Sequence, residues 1–243
     1  VTFNDPKDSD KVAETGNQVE AFVRKFMITP EQANTFVSSQ EHRYRKRKGS
    51  NGNPWRDPLT DEDRLKIARA IISRYAAYTG LIGVGTAAPG IIPGWGTAAA
   101  LGGGALDVGA SIKLQADMAL CLVELFDETL NPQDAEDLAI VIAVASAAEQ
   151  GVSRTAKPFA EKVAAKLVYQ YLRGPTLQFI KTLFRKVAIT FTQKAAAKVI
   201  PFGIGVGVAG ISNYALTQVV GKVALRVLRG PRPLDVESTS GDG

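Results

Sequence analysis

Two stretches of this chain have the spacing of a phosphate cradle. "GVGVAG" at 205–210 satisfies Gly-x-Gly-x-x-Gly, and "GVGTAA" at 83–88 its Ala-ended variant. Such a loop holds a pyrophosphate when a strand precedes it, a helix follows, and an acid about 20 residues on takes the ribose. Here the preceding residues read as helix, position 226 is an arginine, and no Gly-x-x-x-x-Gly-Lys-[Ser/Thr] occurs. Dinucleotide and nucleoside triphosphate binding are both disfavoured.

The carboxylates offer a second chemistry. Asp117, Glu124 and Glu128 share one face of a helix starting near Asp107, and paired carboxylates can hold a metal or move protons. No Glu-x-x-His accompanies them, so the expectation is a solvated acidic face. Asp107 follows a wholly apolar stretch, so it is expected to bond backbone or a cation internally, because unpaired burial is costly, and a structural polar bond and a functional role are left equally open. Cys121 sits in "MALCLVEL" and reads as a small apolar core residue, while His42, the one histidine, lies in a basic stretch. No Gly-x-Ser-x-Gly or Ser-x-x-Lys is present. The expectation is a non-enzymatic protein with no catalytic residue, metal or cofactor.

Charge is distributed unevenly. Residues 61–150 carry a net −7 and residues 151–243 a net +10, and between Arg154 and Arg232 there are fourteen Lys or Arg against one acid, Glu161. That asymmetry points to an anionic partner or to a basic face docked on the acidic middle of the same molecule.

The elements that must position these charges read as helices throughout. Val12, Val19, Phe22, Val23 and Phe26 recur at helical spacing over residues 10–27. Thr29 caps a second helix with Pro30 first inside, which fades into the linker "HRYRKRKGSNGNPW" and its cations Arg43, Arg45, Lys46, Arg47 and Lys48. Thr60 and Asp63 resemble a capping box for a third helix that turns Leu65, Ala68, Ile71, Ile72 and Tyr75 inward. Pro89 and Pro93 bend the Gly-rich run that follows. A long helix then reaches about Thr129, with Val108, Ile112, Gln115, Ala119, Leu122 and Phe126 on one stripe. Asn131 caps a helix whose "LAIVIAVASAA" is apolar on nearly every face.

Helices over 155–173 and 176–198 complete the basic half. The first shows Phe159, Ala160, Val163, Leu167 and Tyr171 as its apolar stripe, with Lys162, Lys166 and Arg173 beside it. The second buries Leu177, Ile180, Phe184, Val187 and Phe191, flanked by Lys181, Arg185 and Lys186. Basic amphipathic helices with interleaved aromatics suit a membrane interface. A last helix ends near Arg229, and 231–243 reads as a disordered tail.

The glycines have a packing explanation. Each costs about 1 kcal/mol inside a helix relative to alanine, which close backbone approach can offset. Gly203, Gly207 and Ile211, Gly205, Ala209 and Asn213, Ala99 with Gly103, and Ala100 with Gly104 all give small-xxx-small spacing. A soluble core, a membrane hairpin and a core that opens onto a membrane all remain compatible with it.

"KAAAKVIPFGIGVGVAGISNYALTQVVGKVALRVL" resembles the C-terminal signature of the EcsC protein family: Lys, Ile-Pro, a glycine run, Asn-Tyr, then a helix with Val-Gly and Ala. "GLIGVGTAAPGIIP" through "LDVGASIKLQADMALCLVELF" is similar to that family's Gly/Pro segment, with its Pro…Asp helix and Leu-Gln pair. The resemblance spans about residues 60–230. It departs at "LFDETLNP", where the family often has Tyr-Gly, an apolar residue and Asp. The resemblance implies a helical bacterial protein without established activity in a membrane setting. Pro93, Asp107, Pro201, Gly205, Asn213 and Tyr214 are the positions it carries over, with Asn213 and Tyr214 expected to anchor their helix by hydrogen bonds inside the bundle.

The expected fold is therefore an all-α bundle with two Gly-rich small-residue helices at its centre. Residues 1–58 would form a mobile helical arm and basic linker, 59–230 an EcsC-like domain and 231–243 the tail. The expected function is accessory or effector action at an anionic phospholipid membrane, in its sharper form with insertion of a helical hairpin. The alternative is a soluble scaffold whose basic face meets a protein partner or, less favoured, nucleic acid. The polar, acidic opening "VTFNDPKDSDK" lacks an apolar signal region. Residence in the bacterial cytoplasm at the inner membrane is expected, with signal-free export left open.

Overall fold

A computed structural model describes residues 6–48, 57–83, 104–127, 129–150, 157–197 and 205–230. They form an all-α bundle: α1 (Pro6–Phe26), α2 (Pro30–Lys48), α3 (Asp61–Gly83), α4 (Gly104–Phe126), α5 (Pro132–Gln150), α6 (Lys157–Arg173), α7 (Leu177–Ala197) and α8 (Gly205–Arg229). Among the described residues there is no strand.

Helix starts follow local chemistry. Thr29 Oγ1 accepts from Gln32 N–H while Gln32 Oε1 accepts from Thr29 N–H, a reciprocal cap that satisfies two otherwise orphaned donors. Thr60 and Asp63 repeat the arrangement at α3. Asn131 Oδ1 accepts from Asp134 N–H at α5, and Thr176 Oγ1 from Phe179 N–H at α7.

At the centre lies α4, packed on by α1, α2, α3, α5 and α8. Every residue from Gly109 to Val123 is buried, so the single stripe expected for this helix widens to its whole circumference. Beside it, α5 is buried continuously from Leu138 to Ala148, as its uninterrupted apolar run requires. Pair by pair, α3 runs antiparallel to α8: Ile72 meets Gly221, and Thr79 meets Thr217 and Asn213. It is also antiparallel to α4, with Arg64 Nη1 donating to the Leu125 carbonyl and Tyr75 reaching Cys121. The ends Gly83, Gly104 and Gly205, from which the Gly-rich runs depart, therefore lie together at one end of the bundle.

Gly221 is a close-approach glycine between α3 and α8. A Cβ there would lie 2.7 Å from the Ile72 side chain, so the α3–α8 contact depends on its absence. Gly203, Pro93 and Pro201 fall outside the described residues, as do Ala99, Ala100, Gly103 and the tail at 231–243.

Two expectations for the N-terminal region are corrected. Residues 6–48 are not a mobile arm. Val19 and Val23 of α1, Ile28, and Ala33 and Val37 of α2 join the central core, because α1 and α2 carry apolar stripes that would otherwise face water. At Gly16, α1 lies so close to α7 that an added Cβ would sit 3.3 Å from Arg185 N. Nor is Arg43–Lys48 a linker: α2 stays helical through Lys48, because Lys48 Nζ and Tyr44 Oη both reach Asp63 at the start of α3, at 2.8 and 2.6 Å.

Candidate functional site

Two polar features stand out, one inside the bundle and one on its surface. Inside, Lys113 Nζ lies 2.6 Å from Asp117 Oδ2, one turn along α4, with side-chain exposures of 2% and 1%. Asp117 Oδ1 also accepts from the Ile28 amide at 3.0 Å, so the pair fastens the α1–α2 elbow to the central helix. Burial dominates the carboxyl: it rises to about 6 despite the opposing pull of Lys113 and of its hydrogen bonds. Next along the helix, burial pushes the Cys121 thiol well up, and Tyr75 Oη shares a 3.8 Å contact with its sulfur. That leaves Cys121 a core residue, as expected, and a poor nucleophile.

The expected solvated acidic face is therefore corrected at Asp117, which is buried because its own helix supplies a counter-charge four residues earlier. Glu124 is half-buried and Glu128 lies outside the described residues. No cluster of three or more His, Cys, Asp or Glu able to hold a metal exists among the described residues. The signal for the pair was present in "SIKLQADM": a lone lysine in an apolar helix with aspartate at i+4.

On the surface, α6 and α7 each carry exposed cations. Lys162, Lys166 and Arg173 on α6 and Lys181, Arg185 and Lys186 on α7 are all exposed. The inward side of α6 is Ala164, Ala165, Val168 and Tyr171, rotated from the expected stripe, with Val163 and Leu167 half-buried. On α7, Ile180, Leu183, Phe184, Val187 and Ala188 are buried. Leu177 is the correction there: it is 55% exposed, because it opens the helix at the outer edge of the α6–α7 turn. Glu161, the lone acid between Arg154 and Arg232, is held by Arg226 of α8 at 2.9 Å. No ion pair among the described residues engages Lys162, Lys166, Arg173 or Lys181.

The other basic cluster stands apart on α2, which packs on α3, α4 and α5, whereas α6 packs on α5 and α8 and α7 on α1 and α5. Arg43, Lys46 and Arg47 are exposed there; Arg45 is half-buried and donates to the Asp57 carbonyl at 2.9 Å. Lys48 is consumed by Asp63, whose carboxyl is held well below the usual range by Lys48 and then by Tyr44.

The positions carried by the family resemblance divide. Asp107 and Gly205 are described only as backbone of α4 and α8. Asn213 does take part in the α3–α8 contact, but through its carbonyl, which lies 3.3 and 3.0 Å from the Thr79 and Thr217 hydroxyls. Those hydroxyls lie 2.7 Å apart, so one of their two protons serves this contact and the other the carbonyl, and neither threonine was singled out from the sequence. Tyr214 is no internal anchor. It is 44% exposed, with its hydroxyl 3.4 Å from Gln218 Nε2, because it falls on the outward face of α8.

No helix among the described residues is long and apolar enough to cross a membrane. No family model, curated protein or solved structure matches the chain.

Proposed function

We propose that the chain is an EcsC-like, non-enzymatic accessory or effector protein that acts peripherally at an anionic membrane surface through its α6–α7 face. The single observation that carries this reading is the set of exposed cations on α6 and α7, together with the sequestration of Glu161, the one acid between Arg154 and Arg232, by Arg226. Near an anionic leaflet each cation contributes about 1 kcal/mol, so Lys162, Lys166, Arg173 and Lys181 together supply about 4 kcal/mol when all four reach it. Their lysine stems and the neighbouring half-buried Tyr169 suit an interface that is apolar on one side and wet on the other. Insertion of the Gly-rich hairpin is the sharper form of the same reading.

Flotation of the purified protein with phosphatidylglycerol-containing and with phosphatidylcholine vesicles, at low and high salt, tests it. The reading expects flotation on the anionic vesicles alone, weakened by salt, because exposed charges are screened. Persistence at high salt once bound, with release of entrapped dye, supports hairpin insertion. Absence of flotation under every condition overturns the membrane reading in favour of a soluble scaffold.

A further inference from the structure

We propose that the α6–α7 turn is the point at which the molecule enters the lipid surface, with Leu177 as the apolar anchor and Arg173 and Lys181 as its contacts to lipid phosphates. This rests on the membrane reading above and names the part of the face that makes the contact.

The turn is a built structure. Gly174 N–H donates to the Tyr171 carbonyl at 3.0 Å as α6 ends, and Thr176 caps α7 through the Phe179 amide. Tyr171 is buried and its ring lies 6.1 Å from that of Phe179, which ties the two helix ends together beneath the turn. Above that footing, residues 173–178 are exposed without interruption. A Cβ added at Gly174 would meet nothing within 4 Å, so the turn faces open space.

A single exposed leucine is ordinary on a protein surface. The setting of Leu177 is not. Among the described residues it is more exposed than the other exposed large apolar side chains, Leu81 and Tyr214. It occupies the first position of a capped helix, where the backbone is fixed and insertion orders little further chain. Lys181 stands four residues on, on the same face of α7, so its ammonium sits one turn behind the leucine. Arg173 closes the other side of the turn. With α6 and α7 lying along an anionic surface, the turn is the part that dips into the acyl region while the cations of both helices stay at the phosphates.

Of the three acids in the first turns of α5, which lie nearest this end, two have partners and the third, Glu136, is half-buried. Asp137 pairs with Arg24 at 2.8 Å, and Asp134 accepts from Asn131 at 2.6 Å. Charge complementarity therefore favours a phosphate surface over a second copy of this chain as the occupant.

The test uses the full chain with Leu177→Cys or, as a control on exposed α3, Ala77→Cys, each labelled with an environment-sensitive fluorophore. Cys121 stays unlabelled because it is buried. On phosphatidylglycerol-containing vesicles the label at 177 is expected to shift to the blue and brighten severalfold, with no change at 77. In the otherwise native chain, Leu177→Asp is expected to lower vesicle partition about tenfold. Vesicle binding with a silent label at 177 and an unaffected Leu177→Asp overturns this proposal and leaves the membrane reading standing. No vesicle binding by the native chain removes both. A concentration-dependent blue shift without vesicles assigns the tip to a second copy and also overturns it.

Discussion

Lys113 and Asp117 pair at 2.6 Å inside the central helix, with the Asp117 carboxylate also holding the Ile28 amide of the α1–α2 elbow. A charge pair in such a place rarely contributes net stability, because removing two ions from water costs several kcal/mol each and their attraction only offsets this. What it does provide is registry between the elbow and α4. The double replacement Lys113→Met/Asp117→Asn keeps an acceptor for Ile28 and removes both charges. It is expected to leave the unfolding free energy unchanged or raised by about 1–4 kcal/mol, measured by urea denaturation at pH 7.5. A loss of several kcal/mol would show that the pair is a net source of stability.

Asp117 gives stability a pH dependence of defined sign. Its folded carboxyl lies at about 6, pushed up by burial, while the unfolded chain takes the proton near pH 4, roughly. The native state thus holds the extra proton between these values. The group's contribution is fully present below about pH 4 and is lost as pH rises through about 6. Lys113→Met removes the counter-charge that favours the ionised form, so the variant meets rising pH with a protonated or unpaired carboxyl. The expected deficit against the native chain is about 2 kcal/mol at pH 7.5 and close to zero at pH 5, read from urea midpoints at the two pH values. A deficit that does not change with pH contradicts this account of Asp117.

Gly221 fixes how closely α8 approaches α3. Alanine there gains about 1 kcal/mol of helix propensity, yet its Cβ would lie 2.7 Å from Ile72 atoms that are themselves buried. Overpacking of this kind costs about 1–3 kcal/mol, so Gly221→Ala is expected to destabilise by up to about 2 kcal/mol. In an Ile72→Ala background the same substitution is expected to be neutral or stabilising. Additive effects in this double-mutant cycle would mean that the two helices do not meet at these residues.

Much of this architecture was legible because it is local. Thr29, Thr60 and Asn131 cap helices through bonds that reach only three residues, so the sequence contains both partners of each. The apolar runs of α1, α3 and α5 likewise state their own burial. What stayed hidden came from other elements. Helix α2 runs on through a cluster of five cations because Asp63, beyond a Gly-rich stretch, meets Tyr44 and Lys48. Asp117 looked like part of a solvated face because α1, α2, α3, α5 and α8 surround α4 only in the folded state. Leu177 fits an apolar stripe by spacing, but the stripe begins one position beyond where the bundle ends. At the basic face, the cations Lys162, Lys166, Arg173 and Lys181 could be read directly, whereas the capture of Glu161 by Arg226 spans two helices far apart in the chain.

The central claim is that the α6 cations bring the protein to an anionic surface, and one comparison tests it most directly. Partition onto phosphatidylglycerol-containing vesicles is measured for the native chain and for Lys162→Glu/Lys166→Glu/Arg173→Glu, with helical content checked by circular dichroism. These side chains are exposed, so the bundle is expected to stay folded. Loss of three contacts worth about 1 kcal/mol each predicts a fall in partition of roughly a hundredfold or more at low salt. Equal partition by the folded variant and the native chain would contradict the claim.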